Sequence, residues 1–186
     1  MTRTPVLENE RALLTPLTEA DIEALRPIAR EAALWTYGLT DLTVEGELEK
    51  YVHSALNDMD NGTAMAWIIT DKTSGAIAGC TRLAEISVKD LRGQIGWTWI
   101  GAAFQGTGLN RAVKSAILTF GFDTLNLNRI ELKADERNIQ SRKAMLKIGA
   151  REEGTLRQHM RTHDGYLRNT VFYSILKEEW DRDLRF

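Results

Sequence analysis

One cysteine, three histidines and three prolines in 186 residues rule out several kinds of chemistry. A single cysteine, Cys80, excludes an internal disulfide and a cysteine-based metal cluster. It lies in an apolar stretch, where a buried structural thiol is favoured over a nucleophile. His53, His159 and His163 show no ligand spacing with carboxylates, so no metal is expected. No apolar run approaches the ~20 residues that span a bilayer. The start, Met1-Thr2-Arg3-Thr4-Pro5, lacks an apolar signal core. The expectation is a cytoplasmic protein with no membrane partner. Charge of one sign is scarce too: the net is −2, which gives no footprint for nucleic acid.

What is there is an ordinary globular composition, 43% apolar and 27% charged, at a length that suits one domain over residues 1–186. The charge is unevenly distributed. Residues 1–60 hold twelve acids and five bases; residues 101–150 hold four acids and eight bases. A basic half suits an anionic cofactor and an acidic half suits an amine substrate, although a solvated, uneven surface explains the pattern equally well.

Residues 7–17 read as a first strand. Thr18, with Asp21 three positions on, reads as the cap of a helix through Ile22, Leu25, Ile28 and Ala29, which Pro27 would kink or divide. Thr43 reads as the cap of a second helix with an apolar stripe of Leu48, Val52, Ala55, Leu56 and Met59. After the Asn61-Gly62 turn come strands at 64–70 and 76–86, joined by a hairpin at 71–75, and a third carrying Trp97 and Trp99. Helix 111–125, strand 129–134, a helix closed by Gly149 and two strands at 153–163 and 168–177 complete the chain. The order points to one α/β domain with a mixed, mostly antiparallel sheet and flanking helices.

The segment Gln105-Gly106-Thr107-Gly108-Leu109-Asn110 follows an apolar strand, 95–100, and opens a helix. Unpaired N–H groups and the positive end of a helix dipole attract phosphate there, and glycines let an anion approach the backbone. On the glycines alone, an ordinary strand-to-helix turn explains the segment as well. A Walker loop is excluded because Leu109-Asn110 replaces its Lys-Ser/Thr, and a dinucleotide fingerprint because Arg111 stands at its third glycine.

The loop resembles the Gln/Arg-x-x-Gly-x-Gly/Ala pyrophosphate loop of the GCN5-related N-acetyltransferases, departing at Asn110. The later Asn138, Ser141 and Gly149-Ala150 resemble that family's second block. Thr81-Arg82, Trp97-Thr98-Trp99, Glu153-Gly154-Thr155-Leu156-Arg157 and Tyr173-Ser174-Ile175-Leu176 are similar to its ribosomal-protein N-terminal acetyltransferase branch. The resemblance implies two central parallel strands that splay apart around acetyl-CoA. It implies pantetheine pairing at Trp99-Ile100 and pyrophosphate on the amides of Gln105, Gly106, Thr107, Gly108, Leu109 and Asn110. Asn138 would then contact the cofactor and Ser141 lie near its sulfur.

Arg111, Lys114, Arg142 and Lys143 are candidates for the outer phosphates, with solvated charge as the alternative. Glu85 is the candidate base, or a surface carboxylate. Ser141 is the candidate proton donor to the thiolate, or a helix cap. Tyr173 is a second candidate acid, or a buried structural tyrosine. Trp35, Trp97 and Trp99 line an acceptor pocket or pack in the core. The implied reaction moves acetyl to a primary amine, on a small molecule or on a peptide or protein. A non-catalytic acyl-CoA-binding module is the alternative, and the branch admits a homodimer.

Overall fold

The computed structural model describes residues 3–181; Met1 and Thr2, the first residues of the stretch read above for a signal core, and residues 182–186 lie outside the described residues. Eight strands form one sheet. They are β1 (Leu7–Glu8), β2 (Ala12–Pro16), β3 (Met65–Asp71), β4 (Ala76–Ser87), β5 (Arg92–Ile100), β6 (Arg129–Asp135), β7 (Arg151–Arg161) and β8 (Leu167–Leu176), in the order β1-β2-β3-β4-β5-β6-β8-β7. Helices α1 (Ile22–Ala29) and α2 (Glu47–Asp60) contact β4 and β3, whereas α3 (Leu109–Thr119) contacts β1, β2 and β5; α4 (Ile139–Lys147) contacts β6.

Alternation along the strands feeds two cores. Trp67, Ile69, Ile95, Ile130, Leu132 and Tyr173 pack with Leu109, Val113 and Ile117 of α3. Ala66, Ile68, Cys80 and Trp99 pack with Leu25, Ile28, Leu48 and Val52 of α1 and α2. A sheet buried on both faces over its central strands is what an α/β layer requires.

Local chemistry sets several boundaries. The Asp21 carboxylate accepts from both the N–H and the hydroxyl of Thr18, each at 2.8 Å, and a 3₁₀ turn, Glu19–Asp21, leads into α1. Pro27 lies inside α1 without dividing it. The expected first strand is instead a hairpin, because the Asn9 side-chain oxygen accepts from the N–H of Arg11 and Ala12 and turns the chain. Thr43 does not cap α2: its N–H and hydroxyl both bind Asp41, and the helix starts four residues later, after Gly46 at φ +80°. α3 begins at Leu109 and gives way after Thr119 to a π turn, Phe120–Thr124. α4 ends in a Schellman pair: Gly149, at φ +85°, donates to Leu146 and Ala150 donates to Met145.

All neighbours in the sheet are antiparallel except β5 and β6. Those two pair in parallel over three positions only, Arg92–Arg129, Gly93–Ile130 and Gln94–Glu131. Both strands run on, to Ile100 and Asp135, without further pairing among the described residues. The sheet therefore opens at its centre, toward the N-termini of α3 and α4.

Candidate active site

One wall of the opening is β5 and the loop that follows it. Gly106 and Gly108 sit at φ +75° and +90°, where a side chain is strained, and a Cβ on either would meet nothing within 4 Å. Backbone conformation, with no crowding from the protein, demands glycine here. The N–H groups of Gly106, Thr107, Gly108 and Asn110 have no partner among the described residues, and the loop runs straight into α3. An unpaired cradle at a helix start, open on its outer side, fits a pyrophosphate. The Gln105 side chain is used within the fold: its amide donates to the Ile100 carbonyl, and its oxygen accepts from Gln140 on α4 at 3.0 Å. That contact bridges the two helix starts across the opening.

The opposite wall is the start of α4. Asn138 is its N-cap, its oxygen accepting the Ser141 N–H at 3.0 Å, while the Ser141 hydroxyl has no partner among the described residues. Arg142 turns inward. Its guanidinium donates to the Tyr173 hydroxyl, the Glu136 carbonyl and Glu152, so it ties α4 to β7 and β8 instead of offering a free charge to a phosphate. Tyr173 is fully buried and donates to Glu152; burial is the main cause of its raised pKa.

The α1–α2 side of the opening carries a second set of groups. In β4–β5, Cys80 pairs with Trp99 and Arg82 with Gly96, so Trp97 and Thr98 together face Thr81 in a β-bulge. Trp97 adopts φ +50° and Glu85, at a second irregularity, φ +52°. Two non-glycine residues in the left-handed region store roughly 1–3 kcal/mol each, and such strain gathers at functional sites. Trp97 is 39% exposed. The buried Arg82 guanidinium lies 5.6 Å from its ring and 4.2 Å from that of Tyr51. The Tyr51 hydroxyl donates to the Trp97 carbonyl at 2.9 Å, and burial keeps that phenol protonated. Lys133 on β6 pairs with Glu85 at 3.4 Å. Phe172 on β8, with His159 stacked edge-on at 5.5 Å, continues this surface; burial first, then the Lys133 charge, pushes the His159 imidazole down.

Glu85 and Trp97 thus share one cleft, and the Gln105–Asn110 loop, Asn138 and Ser141 border the adjoining opening. Trp35 and Trp99 are core residues, 5.6 Å apart edge to face. Cys80 is fully buried, which pushes its thiol up to about 11. Lys114 is not a surface charge: it is 7% exposed, with its amine on the Thr98 hydroxyl. Several acids of the first sixty residues are locally paired, Glu23 and Glu49 with Arg26 and Glu47 with Lys50. Nothing in the residue pattern announces the bulge, Tyr51 or Lys133 as site features. The alternation Arg129, Glu131, Lys133 marks a polar strand face, and Lys133 is the residue of that face that meets Trp97 and Glu85.

Comparison with known proteins agrees with this geometry. The Bacillus subtilis (strain 168) protein YdaF, provisionally named a ribosomal N-acetyltransferase, is 33% identical over 107 residues, 58% of this chain and 57% of that protein. The alignment thus spans little more than half of either protein. The uncharacterised N-acetyltransferase YoaA of the same organism is 26% identical over 174 residues, 93% of this chain and 97% of its own. The crystal structure of a GCN5-related N-acetyltransferase from Brucella melitensis superposes with a TM-score of 0.89 at 23% identity, over 99% of this chain and 83% of that one. The family model for the acetyltransferase (GNAT) domain matches residues 11–151. With that match over most of its length and the opened sheet that goes with it, this chain belongs to the GNAT family of N-acetyltransferases.

Proposed function

We propose that the protein transfers an acetyl group from acetyl-CoA to a primary amine, and that the amine enters from the α1–α2 side, between Trp97, Phe172 and Lys133. The observation that carries this reading is the parting of β5 from β6 after Gln94 and Glu131, with unpaired loop amides at one end and an aromatic, partly charged cleft alongside. Acetyl-CoA supplies an activated thioester. The chain's own groups do the rest. Amides of Gly106, Thr107, Gly108 and Asn110 hold the pyrophosphate, and the edge of β5 at Trp99 and Ile100, beyond its pairing with β6, aligns the pantetheine arm. Glu85 takes the proton from the amine, directly or through water. The free Ser141 hydroxyl donates to the departing sulfur. Asn138 fixes Ser141 by capping α4 and leaves its amide N–H₂ for the cofactor.

The resemblance to a ribosomal N-acetyltransferase favours a protein N-terminus as the acceptor. Thiol release from acetyl-CoA, measured across an amine panel that includes N-terminal peptides, polyamines and amino acids, tests the proposal. Release with peptides above all others supports it. Tight acetyl-CoA binding with no release for any amine identifies a binding module without catalysis.

A further inference from the structure

Lys114 lies on the second turn of α3, inside the layer between helix and sheet, and is 7% exposed. A buried lysine normally has a carboxylate beside it. Here burial pushes the amine down to about 7, and no charged group among the described residues offsets it. Its Nζ donates to Thr98 Oγ1 at 2.6 Å. Thr98 in turn shares a 2.7 Å hydrogen bond with Thr81, the residue opposite the β5 bulge, and reaches the Gly96 carbonyl. From the other face, the Tyr51 hydroxyl holds the Trp97 carbonyl. The bulge is therefore gripped on both sides in the part of β5 that has separated from β6.

We propose that Lys114 is a positioning residue for acetyl transfer: through Thr98 it fixes the strained Trp97–Thr98 bulge, and so sets where the acceptor cleft meets the opening. This rests on the reading of the cleft as the acceptor site. The cost of desolvating an amine with one neutral partner is explained by that task and by nothing in the packing, since a methionine would fill the space without a polar group. α3 also begins at the pyrophosphate loop, so one rigid helix carries both the cofactor cradle and the bulge clamp.

The test compares the full-length protein with Lys114→Met and Thr98→Val. Expected for both is a roughly ten-fold or greater fall in kcat/KM for the amine, with the acetyl-CoA Kd within about two-fold of the parent, as for lost alignment. The double variant should lose little more than either single one, because both break one linkage. Lys114→Met should melt no lower than the parent, whereas a merely structural lysine would cost stability and leave turnover per folded molecule unchanged. Amide exchange of the 96–99 segment, read by mass spectrometry, should quicken in both variants while the 109–119 helix stays protected. Unchanged kcat/KM with unchanged exchange overturns the proposal. If the parent itself acetylates no amine, the acceptor-site reading fails, and the exchange measurement still decides whether Lys114 holds the bulge.

Discussion

Lys133 on β6 stands across the opening from Trp97 on β5, its Nζ 6.0 Å from the indole ring and 5.9 Å from that of Phe172. It lies two residues past the last paired position, Glu131, so it is the first same-face residue beyond the parting of the strands. An ammonium near two aromatic faces and a carboxylate is held in place by weak forces of about 0.5–1 kcal/mol each. An incoming amine would meet the same rings. Trp97→Ala should therefore raise the amine KM by roughly ten-fold with acetyl-CoA affinity unchanged. Trp97→Gly separates ring from strain. It should show the same KM while melting higher than Trp97→Ala, because glycine accepts φ +50° freely.

Gly108 at φ +90° has open space where a Cβ would go. Gly108→Val should cost about 1–2 kcal/mol of stability from backbone strain alone. Acetyl-CoA affinity should fall further than that, by at least roughly ten-fold, since the side chain would fill the cradle. Calorimetric titration with acetyl-CoA alongside a melting curve checks both. Normal affinity in the folded variant would reduce the loop to a connector.

Asn138 and Ser141 separate capping from chemistry. Asn138→Ala removes the acceptor for the Ser141 N–H and should cost about 1 kcal/mol of stability. The Ser141 hydroxyl has no partner among the described residues, so Ser141→Ala should melt like the parent. Its kcat should nevertheless drop roughly ten-fold or more with little change in acetyl-CoA affinity, as for a bond made mainly in the transition state. Parental kcat in Ser141→Ala would remove Ser141 from the mechanism.

Glu85 sits at a strained position with Lys133 as its only ion-pair partner among the described residues. Glu85→Gln keeps the shape and removes the base. The acidic limb of the kcat/KM profile should flatten and the plateau fall by roughly a hundred-fold, within the usual span of general-base catalysis. A profile of unchanged shape would leave Glu85 a surface carboxylate and not the base.

Features that depend on local backbone chemistry were legible in the sequence. The glycines at 106 and 108, the Thr18–Asp21 box and the Gly149 stop each answer a requirement of their own few residues. Where two local options competed, the reading failed: Asn9 turned the chain inside an apparent strand, and Thr43 bonded to Asp41 instead of to a helix. The bulge at Trp97–Thr98 exists only relative to β4, so no pattern within β5 announces it. Lys114 sits beside the apolar stripe of α3, at a position that looks like a solvent edge, and the sheet covers it. Arg142, a charge at a helix start, looked free until β7 and β8 supplied its partners.

Lys114 also gives stability a pH dependence whose sign is fixed. Its folded pKa, about 7, lies below the ordinary 10.5, so between those values the unfolded chain binds a proton that the folded chain does not. Stability therefore rises with pH across that interval, by up to about 1.4 kcal/mol per unit for one proton, and is flat in this respect below pH 7. Two other buried groups act oppositely at higher pH. Burial raises the Cys80 thiol from 9.0 to about 11 and raises the Tyr51 phenol, so the folded state loses ground once those groups ionise in the unfolded chain. The usable window is pH 7 to 9. Urea unfolding of the parent and of Lys114→Met across it should give a stability difference that narrows steadily toward alkaline pH, with the methionine variant ahead at pH 7. A constant difference would mean that the amine does not change its protonation state on folding in this range.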